Sequence, residues 1–153
     1  MTDKNEKQGE PAEETKKCFI IMPIGKDNTI TQEKSFGLLE SVIKPVLRKM
    51  NIECVAPHEI TKTGAISKQI IEEIVNDSLV IANLTGLNPN VMYEVGIRHS
   101  IAKPIVTLCE KGTPLPFDIS DQRNIFYKDS FSGLGKATED LTKFVENVKG
   151  RLQ

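Results

Sequence analysis

The chain has 153 residues, of which 39% are hydrophobic and 27% charged, long enough for one soluble domain with a core of its own. Its 20 basic side chains nearly balance its 21 acidic ones, so no basic excess points to nucleic acid and no acidic run points to a solvating tail. Aromatics make up 5% and Trp is absent, which excludes a base-stacking platform of the single-strand-binding kind.

In chain order, the polar stretch 1–16, with Gly9 and Pro11, reads as a disordered leader, and 17–153 as a single domain. The leader has no apolar signal core, and no later run approaches membrane-spanning length. A cytoplasmic protein without a membrane partner is therefore expected. "CFIIMPI" (18–24) is a continuous apolar run closed by Gly25, the pattern of a strand buried on both faces. "SFGLLESVIKPVLRKM" (35–50) has helical spacing, with a kink predicted at Pro45. "IECVA" (52–56) is a second strand and "GAISKQIIEEIVNDS" (64–78) an amphipathic helix. "LVIAN" (79–83) is a third strand, "NPNVMYEVGIRHSIA" (88–102) a helix, and "PIVTL" (104–108) a fourth strand. "NIFY" (124–127) reads as a fifth strand, and "GKATEDLTKFVENVKGRL" (135–152) as the closing helix.

Strand–helix alternation of this kind predicts an α/β fold: a three-layer, doubly wound parallel sheet. With right-handed crossovers, five strands predict the flavodoxin-like order 2-1-3-4-5. Ligands of such sheets bind outside the carboxyl ends of the strands, where strands 1 and 3 diverge. Cys18, Cys54 and Cys109 each fall in or beside an apolar run, so they read as buried small hydrophobes. With two histidines and no C-x-x-C, neither a metal nor another cofactor is expected.

The segments leaving strands 1 and 3 are "MPIGKDN" (22–28) and "NLTGLNPN" (83–90). The second leads into a helix that Asn88 caps and Pro89 starts, with Glu94 one to two turns inside it. The bland reading of Glu94 is a solvated i,i+4 pair with Arg98. The sharper one is a carboxylate facing the crevice, placed to stabilise a cationic, oxocarbenium-like sugar carbon or to attack it.

"FIIMPIG", "LVIANLTGLNPNVMYEVGIRHSIAKPIV" and "LPFDI" resemble the bacterial domains related to nucleoside 2-deoxyribosyltransferases and to Toll/interleukin-1-receptor-like (TIR-like) NAD-cleaving domains. The resemblance spans about residues 18 to 128, and it implies that Glu94, followed by Val95 and Gly96, is the catalytic nucleophile. The transferases carry an Asp six residues before the Glu, where this chain has Asn88; the related domains often read A-D-L-T-G, where it has Asn83. Both departures remove an ionisable group that would protonate a leaving base. They matter less for nicotinamide, which departs neutral from a cationic nitrogen, so NAD is the favoured substrate.

Around Glu94 the candidate substrate-binding residues are Pro23, Ile24, Gly25, Asn83, Thr85, Gly86, Asn88, Asn90 and Phe117. Gly25 lets backbone approach a ribose or phosphate, and Thr85 and Gly86 precede a helix N-terminus suited to anions. Asn90 can orient a sugar hydroxyl, and Phe117 can stack on a base. His58, Glu59 and His99 rank lower, and Asp77 is expected to be structural. The function expected is an N-glycosidase cleaving or transferring the N-ribosyl bond of a nucleotide. Its rivals are a nucleoside or deoxynucleotide transferase or hydrolase, and a non-catalytic nucleotide-sensing or protein-interaction module. A homo-oligomer and a regulatory partner are also expected.

Overall fold

The computed structural model describes residues 15–24, 29–60, 63–116, 118 and 124–152. Residues 1–14 of the expected leader, and the candidates Gly25 and Phe117, lie outside the described residues. Five strands form one sheet: β1 (Lys16–Ile21), β2 (Ile52–Val55), β3 (Leu79–Asn83), β4 (Ile105–Glu110) and β5 (Asn124–Tyr127). Their order is β2-β1-β3-β4-β5, all parallel, as the alternation of strands and helices predicts. In register, Cys18 lies between Cys54 and Leu79, and Ile81 pairs with Val106.

Alternate residues of the central strands enter opposite cores, because side chains on a strand repeat every two residues. Cys18, Ile20, Leu79 and Ile81 face one apolar layer; Phe19, Ile21, Val80 and Ala82 face the other. Burial of a side chain the size of Phe19 stabilises the fold by about 2–3 kcal/mol. This two-sided burial is why β1 and β3 read as unbroken apolar runs rather than as alternating ones.

The first layer is covered by the helical run Ile30–Lys49 and by α5 (Phe131–Lys149). The helical run starts five residues earlier than its apolar periodicity predicts, because Thr29 caps it by accepting from the Gln32 amide. It comprises α1 (Ile30–Leu38), a π-helical turn (Leu39–Ile43) and α2 (Lys44–Lys49). The predicted disturbance at Pro45 takes the form of that wider turn, in which the Lys44 amide donates to the Leu39 carbonyl five residues back. Pro45 lacks an N–H and its ring crowds the carbonyl four residues before it, and a π turn relieves both.

The second layer is covered by α3 (Ile66–Asn76) and α4 (Pro89–Ser100). The three cysteines are free and sit in β1, β2 and β4. No helix among the described residues is long and apolar enough to cross a membrane.

Candidate active site

Asn88 caps α4 as its sequence predicts: its side-chain oxygen accepts from the Asn90 and Val91 amides, and Pro89 occupies the first turn. From this fixed start, Val91 and Val95 point into the core, while Tyr93 and Glu94 turn toward α3. Between α3 and α4 lies a cavity of about 790 Å³. Asn90, Tyr93 and Glu94 form its α4 wall, and Ile24 after β1 reaches in from the carboxyl end of the sheet. Ile66, Ser67, Lys68, Ile70, Ile71 and Glu72 form the α3 wall.

Glu94 is half-buried among these largely apolar neighbours, and among the described residues its carboxylate takes no hydrogen bond or ion pair. Desolvation therefore acts unopposed and pushes its pKa up to about 7. The bland pairing with Arg98 does not form. Arg98 is fully buried and donates to the carbonyls of Ile74 at 2.7 Å, Asp77 at 2.8 Å, Ser78 at 3.2 Å and Pro104 at 2.9 Å. Those carbonyls belong to the end of α3 and to the segments leading into β3 and β4, at the far end of the sheet from Ile24.

The predicted substrate-binding residues separate into two groups. Ile24 and Asn90 line the cavity with Glu94. The others that the structure describes have their polar groups engaged within the protein. Asn83 is buried; its amide donates to Ser35 Oγ at 3.4 Å and its oxygen accepts from the Thr85 amide at 3.1 Å. Thr85 Oγ1 accepts from the Glu110 amide at 2.9 Å and lies 3.3 Å from the Tyr127 hydroxyl. Gly86 has φ of +83°, a left-handed turn that disfavours any side chain. Pro23 is buried at the end of β1. His58 packs edge-on to Phe36, and Glu59 accepts from Lys44 at 2.6 Å, so neither side chain is available to the cavity wall.

The α3 wall is what the sequence reading missed. The amphipathic pattern puts its isoleucines on one side of the helix without saying what covers them; Ile66 is 58% exposed and lines the cavity, while Ile70 and Ile74 are buried. The N-cap of α3 is Ala65, with no side-chain cap, so this end of the helix is electropositive as well as apolar. Among the described residues, no group of three His, Cys, Asp or Glu is arranged to hold a metal ion.

The sequence matches no protein-family model, and no curated protein matches it. Several solved structures match in shape. A 2-deoxyribosyltransferase from the psychrotolerant bacterium Bacillus psychrosaccharolyticus superposes with a TM-score of 0.55 at 15% identity, over 77% of this chain and 95% of its own. A CMP N-glycosidase from Clostridium botulinum superposes with a TM-score of 0.57 at 19% identity, over 82% and 99%. A conserved protein from Enterococcus faecalis V583 gives 0.56 at 17%, over 87% and 98%. The fold of this chain is thus the five-stranded parallel α/β sandwich that the deoxyribosyltransferase and the N-glycosidase also have.

Proposed function

We propose that this protein cleaves or transfers the N-glycosidic bond of a nucleotide or nucleoside, with Glu94 as the group that meets the sugar carbon. The single observation that carries the reading is the placement of Glu94: a carboxylate with no partner among the described residues, half-buried in a largely apolar cavity at the carboxyl end of the sheet. An anion poorly solvated before reaction gains most from a positive charge that develops beside it, so the site favours an oxocarbenium-like transition state.

In the first step the bond between the anomeric carbon and the base nitrogen breaks, and its electron pair leaves with the base. A Glu94 carboxylate oxygen bonds to the anomeric carbon or shields its charge. In the second step the oxygen of water, or a nucleophile of a second acceptor, attacks that carbon. The attacking group loses its proton, and Glu94 is released as a carboxylate.

The finer reading is that the substrate carries a cationic N-glycosyl nitrogen, with NAD favoured. The families this chain resembles carry acids at the positions of Asn83 and Asn88; here both are amides, engaged in holding the turn and the start of α4. A nicotinamide group leaves neutral and needs no such acid. The second reading, a pyrimidine or purine nucleoside or nucleotide, is favoured by the fold likeness to a 2-deoxyribosyltransferase and a CMP N-glycosidase.

The test is to incubate purified protein with NAD, CMP and a panel of deoxynucleosides and to measure released base by chromatography. Glu94→Gln is expected to lower turnover by at least about 100-fold while ligand binding is retained, weakened at most severalfold for a cationic ligand. Equal turnover by wild type and variant removes Glu94 from the chemistry. Ligand binding without turnover by the wild type leaves a binding module.

A further inference from the structure

Within this cavity one feature bears on which substrates it accepts, and the inference rests on the reading above. Five apolar or aromatic side chains, among them Ile66, Ile71 and Tyr93, dominate the lining. Lys68 supplies the one cation among its described residues. Glu72 stands four residues further along α3, the spacing at which Lys–Glu pairs close on a helix surface. Yet neither side chain takes an ion pair or hydrogen bond among the described residues. The Lys68 ammonium, exposed at the cavity rim, therefore has no ionic partner among the described residues and sits on the wall opposite Glu94. The site has a carboxylate on α4 for the sugar carbon and a solvated ammonium on α3 that is open to a ligand.

We propose that Lys68 selects phosphorylated substrates: it holds a phosphate of the nucleotide while Glu94 addresses the anomeric carbon. The cavity then discriminates nucleotides from nucleosides, and Lys68 is a specificity residue that leaves the bond-breaking step unchanged. An ammonium binds phosphate as a point charge on a flexible stem, so an arginine at this position retains the preference. Removing it breaks no hydrogen bond or ion pair among the described residues, so the fold is expected to be kept.

The experiment pairs nicotinamide mononucleotide with nicotinamide riboside, and CMP with cytidine, so that each pair differs by one phosphate. Steady-state kinetics and calorimetric binding are measured on the wild type, Lys68→Ala and Lys68→Arg, with calorimetry repeated on Glu94→Gln. The expected result is a KM about tenfold higher for the phosphorylated member with Lys68→Ala, the nucleoside KM and kcat unchanged, and recovery with Lys68→Arg. Equal affinity of the wild type for both members of each pair overturns the assignment, as does an equal loss for both in Lys68→Ala. If no base is released from any compound, the proposed reaction fails; a Lys68-dependent phosphate preference in calorimetry still supports the assignment, and its absence overturns it too.

Discussion

Glu94 and Arg98 lie one turn apart on α4, at the spacing of a helical ion pair, and do not meet. Arg98 is drawn away from the cavity by four backbone carbonyls, the shortest contact being 2.7 Å to Ile74, and Glu94 is left facing the cavity with no ion pair among the described residues. A buried guanidinium with five N–H donors is held more strongly by four backbone carbonyls than by a single half-buried i,i+4 carboxylate. That choice of partner leaves the carboxylate without the one-turn neighbour as a counter-charge.

The raised pKa of Glu94 sets the pH response of the reaction. Attack on, or shielding of, the sugar carbon requires the ionised form, so turnover is expected to rise with pH through about 7. A cationic ligand favours the ionised form and draws that inflection lower in the complex, so it binds more tightly at pH 8 than at pH 6. A pH-rate profile for kcat/KM in the free enzyme checks the first expectation, and calorimetry at the two pH values checks the second. A flat profile between pH 5 and 9 excludes Glu94 as the titrating group.

The same shift has a sign for stability. The folded pKa lies above the ordinary value, so between about 4.5 and 7 the folded state holds a proton that the unfolded state has lost. Stability from this group is therefore present at acidic pH and lost as pH rises through about 7. Glu94→Gln is expected to stabilise the protein at pH 8 by on the order of 1 kcal/mol, after allowance for solvent screening of a half-exposed group. That corresponds to a Tm rise of about 2–4 °C, readable by calorimetry, with little difference at pH 4.

Arg98 ties the end of α3 to the segments entering β3 and β4 through the carbonyls of Ile74, Asp77, Ser78 and Pro104. Arg98→Met keeps much of the volume but takes the guanidinium from all four carbonyls, and the Pro104 carbonyl retains the Val80 amide. A loss of about 3 kcal/mol or more is expected in urea unfolding. Arg98→Lys is expected to recover little, since three donors on a flexible stem do not reproduce the guanidinium fork. A change below about 1 kcal/mol for Arg98→Met contradicts this assignment.

Asp77 is nearly fully buried, lies 3.7 Å from Lys17, and has an oxygen, Oδ2, that accepts from no N–H or O–H among the described residues. Burial first, and the Glu73 carboxyl beside it, lift its pKa well above the usual carboxylate range. One proton shared between Glu73 and Asp77 accounts for both facts. The fold then loses stability as pH rises above that range, because the shared proton is shed. Asp77→Asn supplies an amide donor to Glu73 at every pH, and is expected to stabilise the protein at pH 8 by about 1 kcal/mol and to leave it unchanged at pH 5. Unfolding curves at the two pH values decide it, and destabilisation at pH 8 shows that the ionised Asp77–Lys17 pair dominates instead.

The layers of this fold, the strand order and the start of α4 were legible in the residues themselves. Apolar runs such as "FII" and "LVIA" state that both faces of a strand are covered, helical periodicity states which side of a helix is covered, and Asn88-Pro89 marks a helix start by local chemistry alone. Those are properties of neighbours in the chain, which periodicity records. What tertiary structure decided was the choice among partners distant in sequence. Arg98 bonds across 20 to 24 residues to the end of α3 and the lead into β3, rather than to Glu94 one turn away. Ile66 and Lys68 became a cavity wall because α4 packs beside α3 and brings Asn90, Tyr93 and Glu94 opposite them, which no spacing within α3 records. Periodicity fixes the face a side chain occupies; only packing in three dimensions fixes what lies across from it.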